Sequence, residues 1–400
     1  MKTAAVVAEY NPMHSGHIYH LDKTREISGA DFVVAVMSGD FTQRGEAAVY
    51  DKWTRSRVAV NSGVDLVLEL PFAYACNSAE YFASGAISIL HSLGCIDVLS
   101  FGSESGDIDV LEKLAAFLLE EPEEYKKSLR KHLDRGMSFP AARGAAVTQI
   151  FGPNAGKILK SPNNILATEY IKAARKWNMP AKRITIKRRG DYHDSGLDGE
   201  LASATAIRMA IWDEKEEKSE KVAKFLTPAG RDIYMDHGII NGDPERLYPF
   251  IRAAILSGTR ESLARIFAIT EGMENRMIRE VRRHGTLKSY GDALVSRRYT
   301  RIGIDRLLVH TLLGFEKQDL FVHRPYGRVL ALNDRGAKLL RRIKEESKID
   351  MITNINKFHH PALLKYDILA SDMYNLSLGK DMYRNSDYVI YPYVDFKKEI

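Results

Sequence analysis

Short apolar runs and longer amphipathic stretches alternate through roughly the first half of the chain. Ala4-Ala5-Val6-Val7-Ala8, Asp31-Phe32-Val33-Val34-Ala35-Val36-Met37, Leu66-Val67-Leu68-Glu69-Leu70 and Val98-Leu99-Ser100-Phe101 are too short for helices and are followed by Asn, Gly or Pro. They predict buried strands. Helical spacing lies between them, with Ile18 and Leu21 on one face and further helices over about residues 51–62 and 79–93. A helix from Ile165 to about 177, with Asn163 or Asn164 placed to cap it, precedes a fifth run, Arg183-Ile184-Thr185-Ile186. Residues 109–146 read as a highly charged helical excursion packed beside the sheet, its charges forming a solvated face. This alternation predicts an α/β fold with a doubly wound parallel sheet. From about Lys221 the β alternation gives way to amphipathic helical patterns. The expected division is therefore an α/β unit, residues 1–225, and a mainly helical unit, residues 226–400.

Chemistry concentrates where strands end. After Ala8 come Asn11-Pro12 and then His14-Ser15-Gly16-His17, opening a helix. A strand, a tight turn and a helix N-terminus present backbone N–H groups and a partial positive charge to phosphate. Gly16 lets the backbone approach, and two imidazoles can donate hydrogen bonds without permanent charge. A pair of partly exposed turn histidines with no ligand is the plainer alternative. The segment Ser203-Ala204-Thr205-Ala206-Ile207-Arg208 also opens a helix. Ser203 and Thr205 can cap it and offer hydroxyls, and Arg208 one turn on can reach the same anion. Asp40, ending the second strand, fits a metal- or acceptor-organising role and a structural turn equally.

Composition narrows the class. Hydrophobic content of 45% and charged content of 28% over 400 residues describe an ordinary globular chain of about two domains. No apolar run approaches a membrane span, and Met1-Lys2-Thr3 leads straight into a strand rather than a signal sequence. Cys76 and Cys95 sit in apolar surroundings without metal-ligand spacing, as expected of reduced core residues in the cytoplasm. The net charge is +6, and the window Arg276 to Arg306 alone carries nine cations against three anions. Such a patch on a near-neutral protein predicts a polyanionic partner. Arg282, Arg283, Arg297, Arg298, Arg301 and Arg306 are the expected phosphate contacts, with Tyr299 available to stack; a solvated basic face is the plainer alternative. The run from Ser296 is expected to be helical, its arginines opposite the apolar stripe of Ile304, Leu307, Leu308 and Leu312.

HSGH and SATAIR together resemble the motifs of the HIGH-type nucleotidyltransferase superfamily. More narrowly, AEYNPMHSGHIYHL, SGDFTQRGE, FGSES, SPNNILATEY and SRRYTRIGIDRLLVH are similar, in order, to segments of the bacterial tRNA(Met) cytidine acetate ligases. The resemblance implies a HUP-like fold and an ATP-dependent reaction. Acetate would attack the α-phosphate of ATP, and acetyl would then pass to N4 of the wobble cytidine of elongator tRNA(Met). It implies an ATP segment of Val7, Ala8, Glu9, Tyr10, Asn11, Pro12, Met13, His14, Ser15, Gly16, His17, Ile18, Tyr19 and His20. Gly102, Asn163, Arg188 and Arg189 would add further nucleotide contacts. His14, His17 and Arg208 would carry catalysis, and Mg²⁺ would bridge phosphates. SATAIR lacks the synthetases' KMSKS lysine, which leaves hydroxyls and Arg208 to stabilise pyrophosphate. A small-molecule adenylyltransferase and a nucleotide-sensing RNA-binding module are the competing readings.

Overall fold

The computed structural model describes residues 1–188, 202–213, 220–237, 243–320, 325–357, 361–379 and 385–396. Five strands stand where the apolar runs predict them: β1 (Thr3–Ala8), β2 (Phe32–Ser38), β3 (Leu66–Leu70), β4 (Val98–Ser103) and β5 (Lys182–Lys187). They are parallel, in the order β5-β4-β1-β2-β3. Every residue of β2 and β3 is buried, as strands covered by helices on both faces require. After β1 the chain builds β2 and β3 on one side, then crosses to β4 on the other. The reversal falls between β1 and β4, and ligands of such sheets bind beyond the strands' carboxyl ends at that point. Helix α1 (Ser15–Ser28) spans the crevice there. Its His20 Nε2 lies 3.2 Å from Ser100 Oγ of β4, and its Thr24 Oγ1 lies 2.7 Å from the same atom.

The expectation that β structure ends near Lys221 is corrected by three further strands. β6 (Gly327–Asn333) runs antiparallel along β3, and β7 (Met351–Ile352) and β8 (Tyr393–Asp395) pair with β6. Besides backbone pairing and the buried apolar residues of β6, this distant segment meets the first half in a cluster of buried charge. Helix α2 (Lys52–Asn61) begins with Lys52, whose Nζ stands 2.8 Å from both Glu69 Oε1 and Asp387 Oδ1. Arg328 of β6 pairs with the same two acids, at 3.2 and 2.7 Å. All four side chains are essentially out of water. Removing one partner from such a cluster leaves an uncompensated buried charge, which typically costs about 3–5 kcal/mol.

The excursion is helical as expected, with helices Ile108–Glu120, Glu123–Asp134, Phe139–Phe151 and Pro153–Ile158 around a small core of Leu114, Leu118, Tyr125, Val147 and Leu159. Helices between Tyr248 and Leu313 surround another core that includes Ile251, Met277, Tyr290, Leu307 and Phe315. One cap differs from expectation. The helix Pro162–Lys176 starts earlier, so Asn163 and Asn164 lie in its first turn. Their N–H groups donate to Glu104, at 3.1 and 2.8 Å, so a carboxylate from the β4 loop serves the helix N-terminus. Both cysteines are free and buried, and no helix of the described residues is long and apolar enough to cross a membrane.

Candidate active site

The chain leaves β1 through Tyr10, held at φ 47°, and a cis Asn11–Pro12 peptide, then reaches His14, the N-cap of α1. His14 Nδ1 accepts the Gly16 N–H at 3.1 Å, and His17 Nδ1 accepts the His14 N–H at 3.2 Å. This is a capping box made of two imidazoles. With each Nδ1 used as an acceptor, a neutral ring carries its proton on Nε2. Burial pushes His14 down to about 3, helped by the Arg188 and Arg208 guanidiniums. Burial, then His14, Arg188 and His20, hold His17 well below the usual imidazole range. At neutral pH the turn therefore offers two uncharged Nε2–H donors from rings 4.0 Å apart.

Two details of the sequence reading change here. The first-turn N–H groups are taken within the protein: Ser15 donates to Phe225 O at 3.1 Å, Gly16 to His14 Nδ1, and His17 to His14 O at 2.8 Å. Only the helix dipole and the side chains remain for an anion. Gly16 is required by its own neighbour, since an added Cβ would stand 2.8 Å from His14 Cε1.

The rest of the implied ATP segment divides by burial. Tyr10 and Met13 belong to the core below the sheet, with Ala8 and Ile18 packed against it, while Val7 packs on the opposite side. Pro12 is buried, and Tyr19 and His20 continue α1. Glu9 Oε1 accepts the Gln43 N–H at 2.8 Å. Burial pushes His20 down to about 4.

The second motif folds onto the first. Ser203 Oγ accepts the Ala206 N–H at 3.1 Å, capping the helix Ala204–Asp213 as expected. Thr205 lies inside that helix and takes a 3.4 Å bond from Arg208 instead of capping. Arg208 is buried, donates to Asn11 O at 2.8 Å and lies 3.7 Å from Glu46 Oε2. Gly102, Asn163 and Arg188 form the opposite wall. Arg188 Cγ lies 3.5 Å from where a Cβ on Gly102 would sit, and Arg188 Nη1 donates to Asn163 Oδ1 at 3.3 Å. Asn163 Nδ2 is held by Glu104 at 2.7 Å. Arg189 and the loop 190–199 lie outside the described residues.

Asp40 is engaged on both carboxylate oxygens. Its Oδ1 accepts the Lys52 N–H at 2.7 Å and its Oδ2 accepts the Ser371 hydroxyl at 2.6 Å. Sequence reasoning missed Arg55, whose guanidinium donates to Glu9 O, Tyr50 O, Ser38 O and Gly39 O and so ties together the ends of β1 and β2. No local pattern marks that arginine. Glu104 was also missed as a wall-builder, although it lies within the FGSES segment.

A family model described as HIGH Nucleotidyl Transferase matches residues 1–387. A tRNA(Met) cytidine acetate ligase of Acetivibrio thermocellus is 38% identical over 404 residues, spanning 96% of this chain and 97% of that one. The Clostridium novyi protein of the same name is 38% identical, spanning 98% and 99%. The crystal structure of Thermotoga maritima TmcAL bound with alpha-thio ATP matches with a TM-score of 0.89 at 32% identity, covering 99% of this chain and 100% of that one. The chain belongs to the tRNA(Met) cytidine acetate ligase family.

In this family member the basic window is less free than its net charge implies. The helix begins only at Arg301, so Arg297, Arg298 and Tyr299 sit in the turn before it rather than on a helix face. Arg298 pairs with Glu271, Arg283 with Glu280 at 3.7 Å, and Arg301 with both Asp292 and Asp305 at 2.6 and 2.8 Å. Arg306 turns inward, donating to Gln43 O at 3.2 Å. The Tyr299 hydroxyl is fixed on Thr270, with Oγ1 at 2.7 Å. Among the described residues Arg282, just past the helix Met273–Glu280, reaches only Ile278 O of that helix and Arg276 only Val295 O, while Arg297 comes up beside Gly136 at the end of the helix Glu123–Asp134. On that helix Lys127, Arg130 and Lys131 are exposed, and Arg135 follows it; none of the four pairs with an acid described here.

Proposed function

We propose that the chain is an ATP-dependent ligase that activates acetate as acetyl-adenylate and transfers acetyl to N4 of the wobble cytidine of elongator tRNA(Met). The observation that carries the reading is the convergence of two neutral, Nε2-protonated imidazoles with Arg188 and Arg208 at the switch point of the sheet. In the first step a carboxylate oxygen of acetate attacks the α-phosphorus while the bond to the leaving pyrophosphate breaks. Negative charge grows on the α-phosphate oxygens and on the departing group, so fixed donors aimed there lower the barrier. His14 and His17 supply them without introducing a charge that acetate would bind unproductively. Arg208 grips the leaving phosphates, and Gly102, Asn163 and Arg188 line the nucleotide's other side.

The described residues contain no group of three metal-ligating side chains. A Mg²⁺ ion carried on the phosphates of ATP would supply further charge neutralisation there.

RNA binding falls mainly to residues 226–400, joined by the basic face of the helix Glu123–Asp134, with the catalytic work in the rest of 1–225, although β6, β7 and β8 of the second half belong to the first sheet. The RNA surface centres on Arg276, Arg282 and Arg297, extends through Arg298 and Arg283, and crosses at Gly136 to Lys127, Arg130, Lys131 and Arg135. A tRNA-modifying enzyme with reduced, buried cysteines belongs in the cytoplasm.

The test is pyrophosphate release from ATP with a panel of carboxylates, each with and without bulk tRNA. Acetate-dependent release, with labelled acetyl recovered on tRNA, is the expected result. Release driven by a phosphorylated metabolite and indifferent to tRNA would replace this reading with a small-molecule adenylyltransferase. RNA binding without release would leave a sensor.

A further inference from the structure

The acceptor step needs a group that the nucleotide site does not supply. A cytosine amine that attacks a carbonyl must shed a proton, and its lone pair is delocalised into the ring, so positioned proton removal matters. The two histidines of the turn are unsuited, because each Nδ1 already accepts a backbone N–H and each Nε2 is already protonated. Glu9 holds Gln43 N–H, and Asp40 is engaged on both oxygens.

The loop between Asp40 and Val49 is built differently. It folds back tightly, with Thr42 N–H on Glu46 O at 2.9 Å and Gly45 N–H on Thr42 O at 3.0 Å. On one side it meets Arg208 through Glu46, and on the other it is pressed against the helix Arg301–Leu313. An added Cβ on Gly45, itself at φ +77°, would stand 2.3 Å from the Arg306 backbone nitrogen. Around this loop and the HSGH turn, several buried polar atoms have no hydrogen-bond partner among the described residues: Glu46 Oε2, Gln43 Nε2, Asn11 Nδ2, Ser15 Oγ and Arg208 Nε. Buried polar groups left open in this way are uncommon in a finished core and cost stability. Arg208 ties three of these residues together, 3.7 Å from Glu46 Oε2 and donating to Asn11 O at 2.8 Å, and the five atoms comprise four potential donors and one acceptor. That set suits a ligand carrying anionic oxygens beside an amine. The helix on the loop's far side is the one that starts at the basic turn, so the loop lies between the two halves of the reaction.

We propose that Glu46 accepts the proton released by the acceptor cytosine's N4 amine as it attacks the acetyl carbonyl. The N4 lone pair forms the new C–N bond, and the C–O bond of the mixed anhydride breaks with its electron pair leaving on AMP. One N4 proton passes to Glu46 Oε2, to be lost to water after AMP departs. Arg208, 3.7 Å away, orients the carboxylate before the step. Gln43 and Asn11 amides are the open donors for the ring's acceptor edge or for the acyl-phosphate oxygens. The proposal rests on the ligase reading above.

Two measurements separate its failure from that reading's. Acetate-dependent ATP–pyrophosphate exchange reports the first step, and single-turnover transfer from preformed acetyl-adenylate to tRNA reports the second. Glu46→Gln is expected to lower transfer by about 10²–10⁴-fold. The loss in transfer should exceed any loss in exchange by at least tenfold, and Glu46→Asp should recover part of it. Equal losses in both steps would make Glu46 a mere support for Arg208 and overturn the proposal, as would transfer at the unsubstituted rate. Circular dichroism melting of both variants identifies a folding defect, and a glutamine variant that melts normally yet transfers normally also overturns it. Absence of acetate-dependent exchange in the unsubstituted protein would instead sink the ligase reading itself.

Discussion

The HSGH turn and the basic window both read as anion sites in the sequence, and the structure treats them in opposite ways. At the turn nothing carries a full charge on the imidazoles, yet geometry fixes every proton: two Nδ1 atoms are filled, and two Nε2–H groups are left to donate. In the window charge is abundant, yet Arg301 has two acid partners, Arg283 and Arg298 one each, and Arg306 faces the protein interior. A few residues whose neighbours in sequence are also their neighbours in space specify a site almost completely. A count of charges does not, because it says nothing of which cation each acid pairs with, and some partners come from elsewhere: Glu271 lies outside the window, and Gln43 comes from the other half of the chain.

The sharpest way to break this contrast is at the imidazoles. His14→Ala and His17→Ala are each expected to cut acetate-dependent pyrophosphate exchange by about 10²–10³-fold, the usual loss for one transition-state donor. Since His14 also caps α1, its alanine variant should lose about 1 kcal/mol of stability as well. His14→Asn, which keeps a cap acceptor, separates the two effects: it should melt near the unsubstituted protein and still exchange poorly. Normal exchange by folded alanine variants would remove the turn from the mechanism.

Arg208 comes next. Its Nη1 holds Asn11 O and its Nε is open, so the planar fork does two things at once. Arg208→Ala should lose about 10²-fold in exchange. Arg208→Lys should fall within about threefold of alanine, because an ammonium cannot span both positions. Full rate in the lysine variant would reduce the residue to a helix arginine that happens to be buried.

The two regions also show which parts of the fold could be read. β1 to β5 and the helices between them follow from local apolar runs, and HSGH and SATAIR meet through the Arg208–Asn11 bond as their places in an α/β unit imply. β6 was hidden because its second residue, Arg328, reads as solvated. Its burial depends on Glu69 and Asp387, some 260 residues before it and 60 after. Asp40 could not be decided for the same reason, since Ser371 completes it from the far end of the chain. Local periodicity carries no record of such partners.

Smaller effects are expected in the proposed RNA surface, and they should rank by pairing. Replacing Arg276, Arg282 and Arg297 together with alanine should lower the slope of log K against log[salt] for tRNA binding by about 2 to 3 units, somewhat under one per phosphate contact. Arg298→Ala should do less, since an exposed pair with Glu271 must first be broken at a cost of about 0–1 kcal/mol. Arg306→Ala should leave the slope unchanged and lower stability, because its guanidinium is turned to Gln43. Lys127, Arg130 and Lys131, replaced as a set, should behave like the first group. Filter binding at several salt concentrations orders these variants, and an equal slope change for Arg306 and Arg297 would show that pairing does not matter.

The smallest expected effect is in the pH dependence of exchange, and its sign follows from burial. His14 is held at about 3 and His17 well below the ordinary imidazole range. Lowering the pH from 8 to 5 therefore leaves both rings neutral, and exchange should change by less than about twofold from this source. Stability should not be flat over the same range. The unfolded chain takes up protons near the ordinary imidazole pKa of about 6.5, while folded His14 at about 3, and His20 and His310 at about 4, do not. The unfolded state then binds more protons, so stability is greatest above about pH 6.5 and is lost progressively as the pH falls toward 4. Melting temperature measured from pH 7.5 to 5 should decline while exchange in the cold holds steady. His20→Gln should make the decline shallower, because one of the contributing groups is gone. A step in exchange near pH 6.5 that shifts in His17→Gln would mean that a charged imidazole contacts the phosphate, and the distinction between a neutral turn and a charged surface would fail at its stronger end.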